Sequence, residues 1–318
     1  MFAPTDEAFN AFLTANNLTA QQLLDNPELS SILLYHVLDG NIYSYDLLAD
    51  FEMYNNNPLF PETLEGSALK VFFNSMSALS VNAETTNVVA TDILANNGVI
   101  HVIDEVLLPP GNVAEVLTAE GNFTTLLAAL QQNGLDATLL GLEDEFTLFA
   151  PTDAAFAELL TTLGITAQDL LNDPNLDTIL HYHVVEGAGY SSLILDLEYA
   201  VGPTFNGISI VINVDENGLV FVNGIEVVTT DILFDNGVIH VIDGVLVPPS
   251  DIVTIAVENG SFTTLVAALQ QEGLDTALQG EGPFTVFAPN DAAFTQLLTD
   301  LGITAQDLLA HLELSSIL

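Results

Sequence analysis

Apolar and polar positions along this chain switch between two periods. Phe146-Thr-Leu-Phe149 alternates, as a strand with one buried face does. Pro151, Thr152 and Asp153 stop that strand and offer side-chain oxygens to the first free N–H groups of a helix. Phe156, Leu159, Leu160 and Leu163 then fall at helical spacing and form one apolar stripe. Thr166 with Asp169 reads as a capping box, and Leu176, Ile179, Leu180 and His183 make the next stripe. After this helix the pattern becomes that of strands. Ile208–Val214 alternates, Asp215-Glu-Asn-Gly218 turns, Leu219–Val222 returns, and Asn223-Gly224 is a type I′ hairpin signal. Thr230-Asp-Ile-Leu233 reads as a short helical turn. Gly237-Val-Ile-His-Val-Ile-Asp243 is apolar on both faces, as a strand at the centre of a sheet is.

The same succession occurs more than once. Phe149-Ala-Pro-Thr-Asp-Ala-Ala-Phe156 recurs as Phe2-Ala-Pro-Thr-Asp-Glu-Ala-Phe9 and as Phe287-Ala-Pro-Asn-Asp-Ala-Ala-Phe294, with Asp6, Asp153 and Asp291 in register. Thr19…Gln22 and Thr304…Asp307 repeat the capping box, and Leu29, Ile32, Leu33 and His36 repeat the second stripe. Leu69–Phe73, Leu79–Val81 and Val88-Val89 are a weaker copy of the strands. Thr91-Asp-Ile-Leu94 and Gly98-Val-Ile-His-Val-Ile-Asp104 complete the copy. A unit of this length can bury its own core, which points to tandem domains rather than a solenoid. We divide the chain into three repeats: 1–110, beginning inside the opening motif; 111–249, complete; and 250–318, which lacks every sheet strand after the helices. The helical stretches Phe123–Leu130 and Phe262–Leu269 follow without a Gly/Ser-rich linker, so closely packed domains are expected. The whole reads as a piece of a longer array.

Composition narrows the function. Among 318 residues there are 43 acids and one base, Lys70, for a net charge of −42. Nothing can neutralise phosphates, which excludes nucleic acid and direct attachment to anionic lipid. No apolar run is long enough to span a membrane, and no basic n-region of a signal peptide follows Met1. Cysteine is absent, so no disulfide or thiolate site holds the fold. Such acidity suits saline surroundings, marine or halophilic.

Three motifs recur in order: Thr147-Leu-Phe-Ala-Pro-Thr-Asp-Ala-Ala-Phe156, Leu180-His-Tyr-His-Val-Val185 and Gly237-Val-Ile-His-Val-Ile-Asp243. Together they resemble the fasciclin-like (FAS1) domain family over essentially the whole chain. The resemblance implies an α+β fold, each domain a β-sandwich wedge decorated by helices, with the first and third truncated here. It also implies an extracellular or cell-surface adhesion and interaction module without catalysis. In animal members the Tyr-His region and an Asp-Ile motif are implicated in integrin contact. The matching positions are Tyr35, His36, Tyr182, His183, Asp92, Ile93, Asp231 and Ile232. Thr91 and Thr230 stand where a basic residue is expected, and no Arg-Gly-Asp occurs, which favours a bacterial host over integrin binding. Expected partners are a surface or matrix protein or polysaccharide. The family also admits a soluble carrier of a carotenoid- or lipid-like molecule in the apolar wedge around Tyr182 and His183.

Candidate chemistry is sparse. His36, His183, His101 and His240 recur in apolar patterns and read as hydrogen-bonded core histidines; His181 and His311 read as surface residues. No metal site is expected, since convergent ligands are lacking. No Ser/His/Asp arrangement repeats at fixed spacing and no phosphate loop appears, so no enzyme is expected. A divalent cation such as calcium finds only the turn Asp215-Glu216-Asn217, without EF-hand spacing; the first repeat has Asn74-Ser-Met-Ser77 instead. Asn17, Asn122 and Asn259 begin glycosylation-type triplets. Residues 250–318 supply the helix and strand that the first repeat lacks, so head-to-tail self-association between chains is a further expectation.

Overall fold

The structure is a computed structural model that describes residues 1–54, 57–73, 78–140, 144–197, 199–280, 282 and 284–309. His311, Leu318 and the Asn74–Ser77 turn lie outside the described residues. The chain divides into two compact units, Met1–Val247 and Pro248–Leu318. The larger holds two sheets flanked by helices, an α+β architecture.

In the first repeat the strands are β1 (Phe2–Pro4), β2 (Val71–Phe73), β3 (Leu79–Val81), β4 (Ala83–Ala95) and β5 (Gly98–Ile103), ordered β1-β5-β4-β3-β2. In the second they are β6 (Phe146–Pro151), β7 (Val184–Glu186), β8 (Tyr199–Pro203), β9 (Ser209–Val214), β10 (Val220–Val222), β11 (Ile225–Phe234) and β12 (Gly237–Ile242), ordered β7-β6-β12-β11-β10-β9-β8. A bridge between Val185 and Thr204 brings the two ends of this sheet together, so it is nearly closed. The opening strand lies parallel to the closing strand, with Phe146 opposite Gly237 and Pro151 opposite Ile242. All six residues of β12 are buried, as expected of a strand covered on both faces.

Local signals act as the residue chemistry dictates. Thr152 caps the helix Asp153–Leu163 through the Ala155 N–H at 3.1 Å, and Thr5 and Asn290 do the same in the other repeats. Thr19 with Gln22 and Thr166 with Asp169 form reciprocal capping boxes. Asn223 and Gly224 both have positive φ, 51° and 82°, as the tight hairpin requires.

One local expectation is corrected. Thr91–Leu94 and Thr230–Leu233 are not helical turns; they lie within β4 and β11. Three steps along β11, Thr229 to Ile232, face two along β12, Val241 to Ile239, so one extra residue is accommodated; β4 and β5 repeat this. Asp92 and Asp231 take the extra position with φ of 59° and 60°.

The second repeat has two cores, one on each side of β6 and β12. Phe146, Leu148, Phe156, Leu180 and Ile239 meet the helices Val113–Glu120 and Thr124–Asn133. Phe149, Tyr182, Ile210, Val222 and Ile242 fill the space inside the sheet. The unit Pro248–Leu318 packs Leu265, Leu269 and Phe294 among its own helices.

Candidate functional site

The helix Leu29–Tyr35 leads into His36, and Leu176–Tyr182 into His183. Tyr35, His36, Tyr182 and His183 are all buried, none more than 2% exposed. The Tyr35 hydroxyl donates to Ala68 O at 3.0 Å and accepts from Asn82 Nδ2 at 3.0 Å. Tyr182 does likewise with Ser209 O, 3.1 Å, and Asn223 Nδ2, 2.8 Å. His36 Nδ1–H donates to Ile32 O at 2.7 Å, which leaves Nε2 to accept the Leu107 N–H at 3.0 Å. His183 makes the same pair with Ile179 O, 2.8 Å, and the Leu246 N–H, 2.9 Å. One nitrogen donates and the other accepts, so each ring is satisfied as neutral imidazole. Burial pushes His183 down to about 4 despite the Ile179 bond, and lowers His36 as well. These four side chains latch helix to sheet and do not reach the surface, although the family resemblance casts them as contacts.

The bulge brings together residues that sequence spacing kept apart. Asp231 is 5% exposed, and its carboxylate accepts the N–H of Ser191 at 2.9 Å and, by a short bond, its hydroxyl. Asp92 binds Ser44 in the same way, at 2.9 and 2.5 Å. Behind each Asp lies a histidine of the closing strand. His240 Nε2–H donates to Gly189 O at 2.7 Å, and His101 to Ile42 O at 2.9 Å. Ser, Asp and His therefore do recur as a set, which sequence reasoning missed. Ser and Asp are 48 residues apart in one copy and 40 in the other. The available signal was Tyr43-Ser44 and Tyr190-Ser191, a dipeptide at matching positions. The arrangement is not that of an activated nucleophile, because each hydroxyl donates to carboxylate and neither touches an imidazole. Burial lowers His240, countered by Asp231. Burial alone would raise Asp92, but the Ser44 bonds outweigh it and hold the carboxyl below its usual range. Ile93 is exposed and Ile232 half-buried.

Asp153 serves a helix other than its own. Its carboxylate accepts the N–H of Thr124 at 3.1 Å, the N–H of Thr125 at 2.8 Å and the Thr124 hydroxyl at 2.8 Å. The helix Thr124–Asn133 has no side-chain cap of its own, so the charge answers its free N–H groups and its dipole. Asp291 repeats this at Thr263 and Thr264, and the N–H bonds bring its carboxyl down to about 2. Asp6 makes no such bond among the described residues.

Two cavities and one turn bear on ligands. A space of 200 Å³ beside Phe149, Val185, Ile194 and Ile212 opens next to the core around Tyr182. Within Pro248–Leu318, a groove of 470 Å³ is lined by Leu265, Leu269, Leu274, Leu278 and Phe294. The counterparts in the second repeat are buried under Phe234, Ile239 and Val241. The Asp215 carboxylate closes its own turn, accepting the N–H groups of Asn217 and Leu219 at 2.8 Å each. Among the described residues no three of His, Asp and Glu converge as ligands, and no helix is long and apolar enough to cross a membrane.

Comparison with known proteins gives consistent likenesses. The Fasciclin domain model matches residues 1–109, 121–248 and 260–314. Periostin of Homo sapiens is 31% identical over 300 residues, 92% of this chain and 34% of that protein. Transforming growth factor-beta-induced protein ig-h3 of Sus scrofa is 31% identical over 306 residues, 92% of this chain and 41% of that protein. Protein sll1483 of Synechocystis is 38% identical over 140 residues, 43% of this chain and 73% of that protein. The chain thus spans 34% and 41% of the length of the first two relatives.

Proposed function

Because this chain belongs to the fasciclin domain family, we propose that it is a non-catalytic adhesion and interaction protein acting outside the cell or on its surface. Its modules are taken as 1–110, 111–249 and 250–318. The observation that carries this reading is where the polar motif residues are used. Tyr, His, Asp and Ser of both copies hydrogen-bond inside the fold, which leaves the outer surface as the working part. Tyr35, His36, Asp92, Tyr182, His183 and Asp231 then act by fixing that surface, and Ile93 is the motif residue able to touch a partner. Partners are matrix or surface proteins and polysaccharides. The host is a bacterium of saline habitat, a reading supported by the acidity and by the likeness to a Synechocystis protein.

The carrier reading has less support, since the space beside Tyr182 is smaller than the roughly 300 Å³ at which ligand pockets begin. The test is retention on a quartz-crystal sensor coated with the folded chain and, separately, with heat-unfolded chain. Matrix protein or polysaccharide should be held by the folded coat only. Equal retention by both coats, or turnover of ester or glycoside substrates by the folded chain, overturns the proposal.

A further inference from the structure

We propose that the outer face of β8, β9 and β10 binds neutral polysaccharide, an assignment that rests on the adhesion reading and names its ligand and surface. Strand register places the residues. Tyr199 lies opposite Asn213, Asn213 opposite Phe221, and Phe221 opposite Glu226, while Val201 lies opposite Val211. The alternate residues of β9 and β10, Ile210, Ile212, Val220 and Val222, turn inward to the core. The named row therefore faces out. Tyr199 is 62% exposed and Val201 56%, with Val211, Asn213 and Phe221 half-buried.

Three features select the ligand. First, no carboxylate falls on the outward positions of these three strands, in a chain with 43 acids; Glu226 on β11 ends the row. An uncharged face on a strongly anionic molecule fits an uncharged partner, and the overall charge repels polyuronates. Second, strand spacing sets Tyr199 and Phe221, two strands apart, about 10 Å from each other. That matches two rings of an extended sugar chain, whose C–H faces pack on aromatic rings. Third, the Asn213 side-chain amide sits between the aromatics and makes no hydrogen bond among the described residues, so it can donate to and accept from a hydroxyl. The first repeat does not offer this face. Lys70 and Asn82 occupy the places of Val211 and Asn223, and they line a cleft of 270 Å³ with Asp231, Ile232 and Leu233.

The test is affinity electrophoresis of the full chain in gels containing hydroxyethyl cellulose or alginate. Hydroxyethyl cellulose should retard the wild-type chain equally at low and high salt, and alginate should not. Tyr199→Ala and Phe221→Ala should each weaken retardation roughly 3- to 10-fold, with unchanged circular dichroism. Val201→Lys, a surface charge on the same face, gives a second check and should weaken it as well. Undiminished retardation of all three variants, or retardation by alginate alone, overturns the assignment. Self-association through this face, lost in Tyr199→Ala on light scattering, overturns it in favour of a second copy. A chain that holds matrix protein but ignores hydroxyethyl cellulose sinks this assignment alone; one that holds neither sinks the adhesion reading too.

Discussion

Asp231 combines two features that are costly separately. A buried carboxylate costs several kcal/mol unless hydrogen-bonded, and a left-handed backbone costs a residue with a Cβ about 1–2 kcal/mol. The two Ser191 bonds offset the first, and the tolerance of Asp for this conformation reduces the second. Asp231→Asn keeps the shape but turns part of the acceptor into a donor, so it should lose about 2 kcal/mol in urea unfolding at neutral pH. Asp231→Ala should lose about 1 kcal/mol more, because strain is added. An Asn variant as stable as the parent would show that the charge is not needed. His183 sets a pH window. Its folded pKa of about 4 lies below the unfolded value of about 6.5, so the unfolded chain takes up a proton first as pH falls. The contribution of His183 is therefore full above about pH 6.5 and declines toward pH 4, by about 3 kcal/mol, and His36 and His240, also lowered by burial, act in the same direction. Urea midpoints measured stepwise across this window should fall for the parent and change less for His183→Gln. Parallel slopes would assign the decline to other groups.

At the scale of the element, β12 approaches the parallel strand β6 closely at Gly237. A Cβ on Gly237 would sit 2.0 Å from Phe146 O and 2.7 Å from the Phe234 ring. Gly237→Ala should therefore cost more than about 3 kcal/mol or prevent folding. Thermal melts followed by circular dichroism would decide this, and a Gly237→Ala melting point equal to the parent's would contradict the packing. The strand itself was legible because its period and apolar content belong to its own residues. So were the Thr caps and the Asn-Gly hairpin, whose partners lie within four positions. What stayed hidden depends on distant chain. Thr230–Leu233 carries a helix-like run of polar and apolar residues, yet Ser191, forty positions earlier, fixes it as a bulged strand. Asp153 looks like a cap for the helix it begins, but Thr152 fills that role, and the freed carboxylate serves a helix 28 residues upstream. Burial of the Tyr-His pairs was half legible: the helical stripe included the histidines, while the family resemblance pointed outward.

For the whole molecule, charge is the governing quantity. Among the described residues the only ion pair is His181 with Asp177, at 3.3 Å, and Lys70 joins none. Apolar cores therefore carry the stability, and the net charge of −42 works against it through many small repulsions. Each pair about 10 Å apart in water costs only about 0.4 kcal/mol, but the pairs are numerous. Repulsion also concentrates at one junction inside Met1–Val247. Phe60 of the first repeat stacks on Tyr190 of the second, with ring centres 4.1 Å apart. Beside the stack, partial burial and the charge of Glu62 push the Glu145 carboxyl up. Salt shortens the screening length from about 10 Å at 0.1 M to about 3 Å at 1 M. The thermal midpoint should accordingly rise steadily over that range, with no cost from weakened salt bridges because almost none exist. Glu145→Gln should raise the midpoint at low salt and reduce its dependence on salt, since one of the facing charges is gone. A midpoint that is flat or falls with sodium chloride would mean that the acids lie too far apart to oppose folding, and the saline-habitat reading would lose its physical basis.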